Sequence, residues 1–281
     1  MAGTREKGHR WRRAPAILAM LLAAAELLTP AGPAGAAREP AAKAVETTRV
    51  VSAAGTPAPG TTAAVKRAPE RTAAVVSEKE EAFGPIPESE AVEDTYFEDA
   101  VFLGDSRTEG FSLYSGLETG TCLYGVGATV ESVFSKKDWA ASGEKVPLLD
   151  ALAETECGKV YLMLGVNELG WSKKETFYNQ YAKVIDRIRE DLPEAKIVLQ
   201  TILPVSARQD ARGSYVNNER IAVYNEVIRS LAEEKDCFLA DVAEALTGED
   251  GCLPADLNFD GVHLNPAGCK IWLNYLRTHS V

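Results

Sequence analysis

Five short apolar runs punctuate the chain, at 100–103, 121–126, 159–164, 196–202 and 237–242. None alternates regularly with polar residues, which is the pattern of parallel strands covered on both faces. Between the later runs the apolar positions change period. Phe177, Tyr181, Val184, Ile185, Ile188 and Leu192 fall on one helical face, and Ile221, Tyr224, Val227, Ile228 and Leu231 on another. Asn265 followed by Pro266 offers a capping side chain and a proline for the first position of a last helix, whose stripe is Ile271, Trp272, Tyr275 and Leu276. Strands alternating with helices predict an α/β fold, a three-layer sandwich around a five-stranded, doubly wound parallel sheet. Ligands of such sheets bind beyond the carboxyl ends of the strands, so the segments leaving the strands are where chemistry is expected.

Upstream the pattern breaks down. Arg5, Lys7, Arg10, Arg12 and Arg13 precede an apolar stretch over 14–28 that only Glu26 interrupts, and small residues fill 34–36. A basic segment, an apolar segment too short for a comfortable membrane span and a small-residue cleavage site read as a signal peptide over 1–36. The alternative is an uncleaved anchor, which would tether the chain to a membrane. Either way the chain is expected outside the cell or in its envelope. Residues 38–82 contain no Leu, Ile, Met, Phe, Tyr or Trp. Such a segment cannot bury enough apolar surface to offset the entropy of ordering it. The expected organisation is therefore a linker over 37–93, rich in Ala, Pro, Thr, Glu and Lys and contributing nothing to folding, followed by one domain over 94–281.

Charge narrows the function. The whole chain carries a formal net charge of −11, and removing residues 1–36, with their five basic and two acidic side chains, takes it to −14. Nucleic acid is thereby excluded as a partner, because binding it needs a basic face that neutralises phosphates. The five cysteines, Cys122, Cys157, Cys237, Cys252 and Cys269, show no Cys-x-x-Cys spacing and have few histidines beside them, which argues against zinc. Cys252 and Cys269 flank a segment of interest and could pair; the alternative is that they are small buried hydrophobes.

The first strand ends in Gly104, Asp105 and Ser106. Alone, this tripeptide reads most simply as a strand-to-helix turn with a capping side chain. The histidines alter the balance. Of the three, His9 leaves with the signal and His279 lies near the C-terminus, where a helix end is expected to fray, so a histidine base has to be His263. It follows the fifth strand, on the rim that also carries Ser106, and Asp260 three residues earlier can reach its far ring nitrogen. A nucleophile, a base and an orienting carboxylate are then all present. Acyl transfer also needs donors for a developing oxyanion, and three stand at strand ends: the N–H of Ser106, the N–H of Gly127 and the side-chain amide of Asn167. Each of the last two, taken singly, is also an ordinary turn residue.

Ser106 within Gly-Asp-Ser, then Gly127, Asn167 and His263, in that order along a five-stranded sandwich, resemble the four blocks of the SGNH (GDSL-like) serine hydrolase superfamily. The resemblance spans about residues 94–281. It implies a flavodoxin-like sandwich, a Ser106–His263–Asp260 triad, an oxyanion hole of Ser106, Gly127 and Asn167, and no metal or organic cofactor. Two positions depart from the pattern: Arg107 replaces the leucine of the GDSL motif, and Glu168 stands where aspartate commonly follows the asparagine. An α/β-hydrolase elbow is a poorer match, because it needs glycine two residues after the serine and Thr108 is there.

The segment 204–218, which leaves the fourth predicted strand on the reactive rim, carries Arg208, Gln209, Asp210, Arg212, Ser214, Asn217 and Asn218. Polar surroundings suit a small acyl group, acetyl above all, on a polar or anionic scaffold such as an O-acylated envelope glycan. Arg107, Glu168, Arg208 and Arg212 are the candidate substrate-binding residues. The competing readings are an O-acyltransferase with the same site, a lysophospholipase or thioesterase, and a non-catalytic wall-binding module.

Overall fold

The computed structural model describes residues 83–140 and 143–281; the expected signal segment and most of the expected linker lie outside them. The described chain runs through β1 (Gly84–Pro85), β2 (Ala100–Gly104), α1 (Ser106–Tyr114), β3 (Thr121–Tyr124), β4 (Lys137–Trp139), β5 (Val146–Pro147), α2 (Leu148–Ala153), β6 (Lys159–Met163), α3 (Lys174–Asp191), β7 (Lys196–Gln200), α4 (Ala207–Asp210), α5 (Asn218–Glu234), β8 (Phe238–Ala240), α6 (Val242–Leu246) and α7 (Pro266–Thr278). The main sheet has the order β1-β8-β7-β6-β2-β3, and every neighbouring pair is parallel. β4 and β5 form a separate antiparallel pair.

The five expected strands are β2, β3, β6, β7 and β8. They read as unbroken apolar runs because both faces are covered. Val101, Leu103, Val160, Leu162 and Leu199 pack under α2, α3 and α5. Ala100, Phe102, Tyr161, Met163 and Val198 pack on the opposite face with Phe111 of α1, Val242 of α6 and Trp272 of α7. The stripes of α3 and α5 are buried as their spacing predicts, and Asn265 caps α7 by accepting from the N–H groups of Ala267 and Gly268 at 2.9 and 3.1 Å. From β2 the chain winds one way to β3 and from β6 the other way to β7 and β8, so the carboxyl ends of β2 and β6 meet at the point where the winding reverses. Among the described residues no helix is long and apolar enough to cross a membrane.

Two expectations need correction at the domain's edge. The linker was expected to reach residue 93, yet Gly84–Pro85 is a sixth strand, bonded through Gly84 N–H to Cys237 O and Ile86 N–H to Leu239 O, both at 2.9 Å. Ile86 is buried, and Phe83 packs its ring on Phe238 at 5.1 Å. The chain then runs along the end of α7, where Ser89 N–H and Val92 N–H donate to Thr278 O and Arg277 O. That contact explains the second correction. His279 does not fray: it is buried, stacks on Tyr275 with centroids 3.8 Å apart, and sits in a terminus that Tyr96 Oη holds by donating to Val281 O at 2.6 Å.

Candidate active site

Three residues meet over the carboxyl end of the sheet. Ser106 is the first residue of α1, placed by the turn in which Asp105 accepts from Arg107 N–H at 2.8 Å. His263 lies in a loop closed by the Asn258–Leu264 bridge and by Phe259 N–H donating to His263 O at 2.9 Å. Asp260 binds the same loop twice: Oδ1 accepts the N–H groups of Val262 and His263, and Oδ2 lies 2.7 Å from His263 Nδ1. A carboxylate only accepts, so Nδ1 carries the ring proton and donates it to Asp260. Nε2 is then left as the acceptor, and Ser106 Oγ donates to it at 2.9 Å. Burial raises the cost of charge on Asp260, but the hydrogen bonds from the His263 ring and from the two N–H groups outweigh it and hold the carboxyl well below the usual range.

Gly261 is the hinge of this loop. Its φ is +97°, and a β-carbon there would come within 2.6 Å of Ser206 Oγ, so only glycine lets the loop close against the start of α4. Ser206 N–H donates to Gly261 O at 2.9 Å across that contact. The loop carrying His263 is thereby fixed from inside and from a neighbour.

Gly127 and Asn167 leave β3 and β6 on the same rim. Gly127 is exposed with φ +72°, and among the described residues nothing accepts its N–H. Asn167 Nδ2 donates to Ala128 O at 2.8 Å, which uses one of its two hydrogens. The N–H of Ser106, in the first turn of α1, has no partner within the helix.

Arg107 and Glu168, expected to face substrate, do not. A helical residue points about 100° away from its neighbour, and Arg107 is accordingly turned inward from Ser106. It is 3 % exposed and donates through Nη1 to Leu203 O at 2.8 Å, and burial pulls the guanidinium down to about 10 against the opposing pull of Asp105 and Asp260. Glu168 is wholly buried and accepts from Val130 N–H at 2.7 Å; burial pushes its carboxyl up to about 8. Arg208 and Arg212 are exposed on and just after α4, and Arg212 Nη1 donates to Gln209 Oε1 at 3.0 Å. All five cysteines are free: Cys269 Sγ lies 3.5 Å from Gly110 O, and Cys252 lies beside Asn218.

Among the described residues no group of three or more His, Cys, Asp or Glu side chains is placed to hold a metal ion. A cavity of about 510 Å³ between α5 and α6 includes neither Ser106 nor His263 in its lining, and its Arg229 and Asp241 are paired at 2.7 Å.

A doubly wound parallel sandwich with a serine, a histidine and a carboxylate in hydrogen-bonded series at its switch point defines a hydrolase of the SGNH class. Residues 102–271 match the GDSL-like lipase/acylhydrolase family, and the chain belongs to that family. Its fold is similar to that of a Streptococcus pneumonia protein provisionally named a platelet activating factor, at 24% identity and a TM-score of 0.52, covering 63% of this chain and 81% of that one. It is also similar to the acetyl xylan esterase AlAXEase, at 17% identity and a TM-score of 0.50, covering 65% of this chain and 99% of that one. At these identities the likeness is one of fold. No curated protein matches the chain.

Proposed function

We propose that this chain is an exported serine ester hydrolase that removes small acyl groups, acetyl above all, from a polar or carbohydrate substrate. The observation that carries the reading is the hydrogen-bonded series from Ser106 Oγ through both nitrogens of His263 to Asp260. In this reading Ser106 Oγ attacks the ester carbonyl while His263 Nε2 takes its proton, and Asp260 stabilises the imidazolium that results. The tetrahedral oxyanion is met by the N–H groups of Ser106 and Gly127 and by the second hydrogen of Asn167. His263 returns its proton to the departing alkoxide, leaving an acyl-Ser106 ester. Water, deprotonated by the same imidazole, attacks that ester, and the carboxylic acid leaves as the proton passes back to Ser106.

The preference for a small acyl group rests on the polar residues of the segment 204–218, while Val126 and Phe259, the neighbours of Gly127 and Asp260, are exposed apolar side chains. Arg208 and Arg212 are exposed on the segment 204–218, which is bonded through Ser206 N–H to Gly261 O of the loop bearing Asp260 and His263. With Arg107 and Glu168 buried, these two are the residues left to attract an anionic scaffold such as an envelope glycan. Export rests on the N-terminal sequence pattern. The reading predicts that, across a series of p-nitrophenyl esters, kcat/KM peaks at two to four acyl carbons. A peak at eight or more would replace it with a lipase or thioesterase, and acyl transfer to an added sugar in preference to water would make the protein an O-acyltransferase.

A further inference from the structure

The loop over 125–130 has a demanding task in the reading above, since it presents Gly127 N–H from an exposed position. Its own bonds are few: Gly125 N–H donates to Gly104 O at 3.1 Å and Ala128 N–H to Gly125 O at 2.9 Å. Thr129 is tied to the following turn, its N–H donating to Ser132 Oγ at 2.8 Å and its O accepting from Val133 N–H at 3.1 Å, and Lys136 Nζ donates to Val126 O at 3.1 Å. The side chains that reach the loop from across the rim come from the turn after β6. Asn167 Nδ2 donates to Ala128 O at 2.8 Å, and Glu168 Oε1 accepts from Val130 N–H at 2.7 Å. Two consecutive side chains thus hold one loop at a carbonyl and an N–H two residues apart. The turn they stand on is itself fixed, because Glu168 N–H donates to Gly165 O at 3.2 Å and Tyr224 Oη donates to Glu168 O at 2.8 Å.

The residue type at 168 is costly for a merely structural site. Glu168 is 0 % exposed, and its Oε2 has no hydrogen-bond partner among the described residues. Burying a carboxyl with half its capacity unmet is unfavourable by a few kcal/mol on general grounds, and an apolar side chain of similar size would avoid that. What an apolar side chain cannot do is accept the Val130 N–H. The cost is therefore tied to one bond, and that bond ends three residues from Gly127.

We propose that Glu168 is a positioning residue: its grip on Val130 N–H sets the loop over 125–130 against Asn167, so that the Gly127 N–H and the Asn167 amide converge on one oxyanion. This rests on the serine hydrolase reading and adds to it the element that makes the oxyanion site rigid. A buried carboxyl pushed up to about 8 is mostly protonated at neutral pH, which suits an acceptor facing an uncharged N–H and makes glutamine its nearest mimic.

The test compares Glu168→Gln, Glu168→Asp and Glu168→Ala with wild type and Ser106→Ala in the full chain, by kcat and KM on p-nitrophenyl acetate and by the rate of fluorophosphonate labelling, whose product puts an oxygen where the oxyanion would be. Glutamine keeps the acceptor at the same reach and is expected within about threefold of wild type. Alanine, which removes the bond to Val130 N–H and leaves the loop held by Asn167 and by Thr129, should lower kcat and the labelling rate by roughly 10- to 100-fold while KM changes by less than about threefold, as a small misplacement of catalytic groups does. Aspartate is one methylene too short and should behave like alanine. If the alanine variant does not fold, glutamine against aspartate decides, with equal and wild-type-like rates overturning the proposal. Full activity in the alanine variant, or equal losses in alanine and glutamine, would also overturn it. Turnover by Ser106→Ala would instead remove the nucleophile reading itself, so the two failures are distinct.

Discussion

At the scale of single residues the account turns on which way neighbouring side chains point. Ser106, His263 and Asp260 could be assembled from sequence because histidine is scarce and each stands on a segment leaving a strand. Arg107 and Glu168 could not be placed that way: sequence proximity to Ser106 and Asn167 suggests a shared pocket, whereas one step along a helical turn rotates each into the interior. Asn167 is predicted to act mainly in the transition state, so Asn167→Ala should reduce kcat by roughly a hundredfold or more with KM nearly constant. A change confined to KM would make it a substrate-binding residue. Glu168 also leaves a thermodynamic mark. An acid whose pKa is raised on folding keeps its proton where the unfolded chain has released it, so its contribution to stability is intact below the ordinary value of 4.5 and declines as pH rises to about 8. Glu168→Gln has no such proton to lose. Its melting temperature relative to wild type should therefore climb between pH 5 and pH 8, and a pH-independent difference would contradict the burial argument.

At the scale of elements, the strands that sequence reveals are those covered on both faces, because burial on both sides leaves an uninterrupted apolar run. The helices α3, α5 and α7 were equally plain from their period and, for α7, from its cap. β1, β4 and β5 are two or three residues long and lie in no such apolar run, which hid them, whereas the equally short β8 sits within the run at 237–242. β1 was further disguised by Pro85, tolerated there because β1 is at the edge of the sheet. The consequence is measurable. A chain beginning at residue 94 lacks the β1–β8 pairing, the buried Ile86 and the bonds to the end of α7, whereas one beginning at residue 83 keeps them all. Losing one buried isoleucine is worth roughly 2 kcal/mol, so the shorter chain should melt about 4–8 °C lower. Equal melting temperatures would show that residues 83–93 lie on the domain without supporting it.

For the whole molecule, topology converts scattered sequence into a site. Residues separated by as many as 157 positions, Ser106 and His263, come within hydrogen-bond distance because β2 and the loop before α7 both open onto the rim where the winding reverses. The chain belongs to the GDSL-like lipase/acylhydrolase family, and Ser106 is the residue through which the proposed ester hydrolysis stands or falls. The most direct measurement is to treat the protein with a fluorophosphonate, locate the adduct by peptide mass spectrometry, and run Ser106→Ala alongside at a matched melting temperature. The account predicts a single adduct on Ser106, with no labelling and no ester turnover in the variant. An adduct on another residue, or turnover by Ser106→Ala at a rate comparable to wild type, would contradict it.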